Sequence, residues 1–396
     1  MTASPPGAAV ALAARMGLLE SEGAFDVLVK ARALEQGGRD VIHLEIGEPD
    51  FPTPAFIREA AVRALEAGHT RYGPPAGLPE LREAIAENVA ARCRVPVHPE
   101  EVVVTPGAKP IMFFAALALV EPGREVLYPD PGFPIYRSVA AFAGGRPVPV
   151  PLREARGFAF DLEALDAAVT PRTALLILNS PENPTGGVLD LKDLTAIAEI
   201  TGRYGIPILA DEIYHRFLYD GEHRSILSLP GVKERVILLD GFSKSYAMTG
   251  WRLGFGVMPR PWAEAMAKLM VNSNSCTATF TQRAGIAALT GDQGPVEAMV
   301  AAFRRRRDLV VAGLNAIPGV RCLHPRGAFY AFPNVSALGR PVRAVADVLL
   351  NEAGVALLPG TAFGEHGEGY LRLSYAASED RLREALRRMR DALAVV

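Results

Sequence analysis

Cysteine is scarce in this chain. The three present in 396 residues, Cys93, Cys276 and Cys322, are widely scattered and odd in number, which suggests no disulfide framework and fits a reducing compartment. Excess charge is also missing, with 42 Lys plus Arg against 44 Asp plus Glu. Without a basic surplus, nucleic-acid and membrane-surface roles are disfavoured. The longest uninterrupted apolar run, Ile111 to Val120, is about half of the roughly 20 residues that a membrane span needs. Residues 1–14 are rich in Ala and Pro but have no basic n-region, which argues against a signal peptide. The expectation is a soluble cytoplasmic protein. The histidines, His43, His69, His98, His215, His223, His324 and His366, form no i, i+4 pair and have no cysteine pair at ligand spacing, so no metal site is expected. There is no GxGxxG after a strand and no P-loop, which disfavours dinucleotide and nucleotide enzymes.

Apolar material, in contrast, is plentiful at 49%, and the length suits two or three domains. Short continuous apolar runs alternate with Ala/Leu/Arg/Glu helical stretches. The runs are Glu101–Val104, Glu125–Tyr128, Ala174–Leu178, Pro207–Ala210, Val236–Leu239 and Leu253–Val257. Continuous apolarity indicates strands buried on both faces, as in a largely parallel sheet covered by helices. An α/β core is predicted. After about residue 290 the texture changes to a long helical pattern through Ala302–Leu314, then strand candidates at Phe329–Phe332 and Tyr370–Leu373, which predicts a smaller α+β part. The basic run Arg304–Arg307 is read as the solvated face of that helix.

The chemistry concentrates where strands end. Lys244 lies between two serines in the run Asp240 to Gly254, just past an apolar strand, with Arg252 eight residues on. An amine beside hydroxyls and a guanidinium suits an anion next to a Schiff-base lysine, and pyridoxal phosphate supplies both the aldehyde and the anion. Thr105-Pro106-Gly107-Ala108-Lys109 leads into a helical run over Ile111–Val120. Its glycine turn offers free N–H groups and the positive end of a helix dipole to a phosphate. In Asn179-Ser180-Pro181-Glu182-Asn183-Pro184-Thr185-Gly186, Asn183 precedes a proline, is biased to an extended backbone, and is placed to turn its amide into a cleft. Asp211, in Asp211-Glu212-Ile213-Tyr214, is either a helix cap or a carboxylate facing the same cleft.

Taken together, these runs resemble the fold-type I pyridoxal-phosphate enzymes, specifically the class I/II aminotransferases of the aspartate-aminotransferase-like branch. The resemblance rests on Ile46-Gly47-Glu48-Pro49-Asp50-Phe51, Tyr72 to Leu78, Asn183 to Gly186, Asp211 to Tyr214, Ser243 to Gly254, and Arg372-Leu373-Ser374-Tyr375-Ala376, in family order. It implies a mostly parallel seven-stranded sheet covered by helices plus a smaller α+β domain. The large cofactor-binding domain would span residues 50–290, and the small domain 1–49 with 291–396.

The resemblance also implies roles. Lys244 would anchor pyridoxal 5′-phosphate and carry the proton between the substrate Cα and the cofactor. Asp211 would pair with the pyridine nitrogen, while Tyr214 and Asn183 would hydrogen-bond the phenolic oxygen. Phosphate would be held by Ser243, Arg252 and the Gly107–Lys109 turn, including the amides of Ala108 and Lys109, with Tyr72 reaching in from the second subunit of a homodimer. Phe133 would stack on the ring. Arg372 would clamp the α-carboxylate, beside Asn183 and the Gly47 backbone. The expected activity is ping-pong transfer between an L-amino acid and a 2-oxo acid.

Two departures bear on substrate. Phe133 stands where aspartate-preferring relatives commonly have tryptophan, and Gly241 where some place a phosphate-contacting serine. Lys109 is the one cation placed near the substrate's distal end, and the sequence assigns no charge of residues 15–40 to the side-chain pocket. Dicarboxylic and aromatic donors both remain open. A C–S β-lyase or decarboxylase on the same fold is the alternative. A ligand-sensing regulator would need a basic DNA-binding module before the first motif, where none is seen.

Overall fold

The computed structural model of the chain describes residues 12–20 and 22–394; most of the Ala- and Pro-rich start lies outside them. A two-residue strand, β1 (Ile42–His43), comes first, followed by eight strands that make one large sheet. These are β2 (Val102–Thr105), β3 (Glu125–Asp130), β4 (Arg146–Arg153), β5 (Ala159–Phe160), β6 (Thr173–Asn179), β7 (Ile208–Asp211), β8 (Val236–Gly241) and β9 (Gly254–Val257). Their order across the sheet is β2-β9-β8-β7-β6-β3-β4-β5. Strands β8, β7, β6, β3 and β4 run parallel, whereas β9 is antiparallel to both its neighbours and β5 folds back on β4.

Every residue of β2, β6, β7, β8 and β9 is buried, as expected of strands covered on both faces. One apolar cluster packs on each side of the sheet. The expectation of seven strands is corrected to eight by β5, a pairing of Leu152 and Arg153 with Phe160 and Ala159 that is too short to leave a pattern in sequence. Strand β4 was not read either. Its prolines 147, 149 and 151 fall at alternate positions, and Arg146 N–H donates to Arg124 O. The alternate positions that face β3 therefore keep their donors, while the prolines face the weakly paired outer side, where a missing N–H is tolerated.

Both ends of the chain build a second layer. β1 pairs in parallel with β11 (Val355–Ala356), and β10 (Tyr330–Ala331), β13 (Leu371–Ser374) and β12 (Leu358–Pro359) form a three-stranded antiparallel sheet. The helix Gly294–Asn315 packs against the helix Glu379–Leu393 over a cluster that includes Phe303, Val310, Leu382 and Met389. The basic run on this helix is not a uniformly solvated face. Arg306 and Arg307 are only 8% and 3% exposed. Arg306 grips Asp50 through two bonds of 2.6 and 2.9 Å and sits over the rings of Phe51 and Phe303, while Arg307 pairs with Asp220 at 2.6 Å.

Candidate active site

In an open α/β sheet, ligands gather outside the carboxyl ends of the parallel strands. Here those ends deliver Phe133 beyond β3, Asn179 and Asn183 from β6, Asp211 and Tyr214 from β7, and Ser243 and Lys244 from β8. They line a cavity of about 400 Å³, closed from the other side by Gly47, Tyr330, Phe363 and Arg372. Ala108, Lys109 and Arg252 line it too, so the structure gathers nearly all of the expected residues around one space. Gly107 stands behind the wall. Tyr72 does not reach the cavity of its own chain; it is 89% exposed.

Register sets the cavity floor. Asn179 lies opposite Asp211 across the β6–β7 ladder and donates from Nδ2 to the Asp211 backbone carbonyl at 2.9 Å. Its Oδ1 accepts the N–H of Asn183 at 2.9 Å. Asn179 thus fixes the turn that carries Asn183. The Asp211 side chain is buried, accepts from Tyr136 Oη at 2.8 Å and from the Ile213 N–H at 3.2 Å, and forms no ion pair among the described residues. Burial pushes its carboxyl up to about 7; the Tyr136 and Ile213 bonds oppose that rise, and the carboxylates of Asp240 and Glu212 add to it. Of the two readings of Asp211, the cleft-facing carboxylate is the one seen.

Lys244 sits in the short helix Phe242–Ser245 that follows β8 directly. Its Nζ donates to the Gly47 carbonyl at 2.5 Å. Burial drives the amine down to about 8, against the pull of Glu48 and Glu22, with Lys109 and Arg252 pushing the same way as burial. A larger fraction of this amine is therefore neutral near pH 7 than of an ordinary lysine.

The corner where Gly107, Arg252 and Gly254 meet is built by close approach. Gly107 turns the chain at φ +85° ahead of the helix Lys109–Leu119, and a Cβ there would overlap the Arg252 guanidinium. A Cβ at Gly254 would strike the Ala108 backbone. Arg252 itself holds φ +53°, a conformation costly for a non-glycine residue, and bonds the Thr249 carbonyl at 2.7 Å. Opposite, the Arg372 guanidinium is buried, donates to the Glu45 carbonyl and lies 4.8 Å from the centre of the Tyr330 ring and 5.2 Å from that of Phe363. Tyr214 Oη and Tyr330 Oη share a 2.8 Å hydrogen bond.

Several of these residues escaped sequence reasoning. Tyr136 lies three residues after Phe133 and Asn179 opens the run that carries Asn183, but nothing in their spacing marks a side-chain role. Tyr330 appeared only as part of a strand candidate. Lys109 is not a free cation: it pairs with Glu22 and lies 5.3 Å from the centre of the Phe133 ring. The N-terminal segment therefore contributes a charge, Glu22, whose place the sequence did not give.

Comparison with known proteins agrees with this geometry. The family described as aminotransferase class I and II matches residues 39–389. The chain is 44% identical over 390 residues to a probable aspartate/prephenate aminotransferase of Aquifex aeolicus, covering 96% of this chain and 98% of that one. It is 41% identical to aromatic-amino-acid aminotransferase 2 of Thermococcus litoralis, over 91% and 93% of the two chains. The solved aspartate aminotransferase of Thermus thermophilus with maleate is similar at a TM-score of 0.93 and 40% identity, covering 96% and 99%. The chain belongs to the class I and II aminotransferases and is a pyridoxal-phosphate-dependent transaminase.

Proposed function

We propose that the protein moves an amino group from an L-amino acid to a 2-oxo acid in two ping-pong half-reactions, with Lys244 as covalent anchor of pyridoxal phosphate and as proton carrier. The observation that carries this reading is convergence. One cavity presents an amine held near pH 8, a buried carboxylate that forms no ion pair among the described residues, and two arginines on opposite sides.

The residues fit the cofactor. Nε of Arg372 is buried without a hydrogen-bond partner among the described residues, and the absence of a side chain at Gly107 lets the Arg252 guanidinium close on the turn. When bound, pyridoxal phosphate supplies an aldehyde and an electron-withdrawing ring that eases breakage of the substrate Cα–H bond. Asp211 would hold a proton on the pyridine nitrogen, since a cation beside this carboxylate offsets the loss of water around it. Tyr214 and Asn183 would donate to the phenolic oxygen, and Phe133 would lie against the ring. Ser243, Arg252 and the amides of Ala108 and Lys109 would bind the phosphate, joined by Tyr72 of a second subunit. Arg372, with its planar pair of donors, would orient the α-carboxylate next to Asn183 and Gly47. The Lys244 amine would then take the Cα proton and return it to the cofactor.

In this reading residues 50–290 form the cofactor-binding part, while 1–49 and 291–396 form the part that brings Arg372. Free Cys93, Cys276 and Cys322 support a reducing, cytoplasmic setting. Among the described residues no helix is long and apolar enough to cross a membrane. The test is to supply single amino acids while following the cofactor's absorbance, then to add a 2-oxo acid. Turnover that requires the acceptor supports the proposal. Ammonia with pyruvate, or carbon dioxide, released without an acceptor would identify a C–S β-lyase or a decarboxylase instead.

A further inference from the structure

The charges that line the cavity can be assigned one by one. In the reading above, Arg372 takes the α-carboxylate, Arg252 the phosphate, Asp211 the pyridine nitrogen and Lys244 the covalent link. Glu48 is bonded to Thr249. What remains among the lining residues is Lys109 with Glu22, and these two are paired with each other. Glu22 occupies the N-cap position of the helix Gly23–Gln36, yet its side chain caps nothing. It reaches across the cavity to Lys109 instead. Glu22 lines the same cavity as Lys244, Tyr330 and Arg372, and its side chain is largely buried while that of Lys109 is half exposed. Lys109 is held in place by the Phe133 ring, 5.3 Å away, a contact that favours a cation over an aromatic face.

We infer that Glu22 is a specificity determinant of this site: as an internal carboxylate it neutralises Lys109 and selects amino donors whose side chains carry no negative charge. The inference rests on the transaminase reading. A donor with a distal carboxylate must displace Glu22 from Lys109 and then lie beside it, like charge against like charge. An apolar or aromatic side chain leaves the pair intact and meets Phe25, Ile46, Met112, Phe133 and Phe363, which line the same space.

The test uses two unreactive acids on the cofactor-loaded protein, maleate with two carboxylates and 3-phenylpropionate with one. Dissociation constants are read by calorimetry. The wild type is expected to bind 3-phenylpropionate more tightly. Glu22→Gln shifts the ratio of the two constants towards maleate by roughly twofold to fivefold, the scale of one partly exposed ion pair. Adding Lys109→Met to Glu22→Gln removes that gain, whereas a purely structural role for Glu22 would weaken both ligands alike. An unchanged ratio in Glu22→Gln, a gain that survives Lys109→Met, or a wild type that prefers maleate would each overturn the inference. Failure of the wild type to transfer an amino group from any of the common amino acids is a different result and would sink the transaminase reading itself.

Discussion

Tyr136 donates a 2.8 Å hydrogen bond from its hydroxyl to Oδ2 of Asp211, and both side chains are buried. This bond works against burial, which pushes the carboxyl up to about 7. In the proposed reading the cofactor's pyridine nitrogen pairs with Asp211 as a carboxylate, so its affinity should fall as acid protonates that group. Tyr136→Phe removes a bond that favours the charged form and so moves the fall to higher pH. Cofactor dissociation constants measured from pH 6 to 9 should show the variant weakened most at the acid end. A uniform weakening across that range would argue for a packing role alone.

Asp211→Asn should separate stability from function. A carboxyl whose folded value of about 7 lies above the ordinary 3.8 stabilises the fold at low pH and loses that contribution as pH rises through 7. At pH 8 the cofactor-free protein carries a buried charge that no ion pair among the described residues offsets. Replacement by asparagine is expected to raise its Tm by a few degrees at pH 8, with no gain at pH 4, while amino transfer falls by at least about a hundredfold. Melting curves at the two pH values, paired with half-reaction rates, decide it.

The Lys244 amine, lowered to about 8, is protonated below that pH and neutral above it. Uptake of pyridoxal phosphate by the cofactor-free protein should accelerate up to about pH 8 and then level off. An ordinary lysine would keep accelerating towards 10. Lys244→Ala should give no borohydride-stable adduct, and its donor-to-oxo-acid conversion should fall by at least about a thousandfold.

Arg372 is buried and has Nε unpartnered. Truncating one partner of a desolvated charge pair costs about 2 to 5 kcal/mol. Arg372→Leu is therefore expected to lower kcat/KM for amino donors by about a hundredfold or more, mainly through KM. Arg372→Lys should recover only part of this, because an ammonium lacks the paired donors. A loss carried by kcat with KM unchanged would contradict the substrate-clamp role.

Tyr72, bare in the single chain at 89% exposed, is assigned to a neighbouring subunit's phosphate corner. Sedimentation should show a dimer, and Tyr72→Ala should raise the cofactor dissociation constant without changing the Tm of the cofactor-free protein. A monomer that retains full cofactor affinity would remove the assignment.

Legibility in the sequence followed physical simplicity. Strands such as Thr173–Asn179 were readable because burial on both faces leaves a continuous apolar run, and their polar ends marked the cavity. Strand β4 hid because its prolines deny a strand by local rule, and only its place beside the weakly paired edge makes them tolerable. Arg306 and Arg307 misled for a related reason. A run of like charges is ordinarily solvated, and the partners that bury these two, Asp50 and Asp220, are distant in sequence. Lys244, Asp211 and Arg372 stood out through their motifs, whereas Glu22 had no motif at all. Its role depends on a cavity that exists only after folding.

The pairing of β1 with β11 sets Ile42 beside Val355, and so places Gly47 within reach of Lys244 and Arg372 only when distant parts of the chain have met. Arg372 follows the same rule: it enters the cavity from β13, well over a hundred residues beyond Lys244 in sequence. The cavity is therefore a product of long-range docking, and local folding of the large sheet alone leaves it open on the side that Gly47, Tyr330 and Arg372 line.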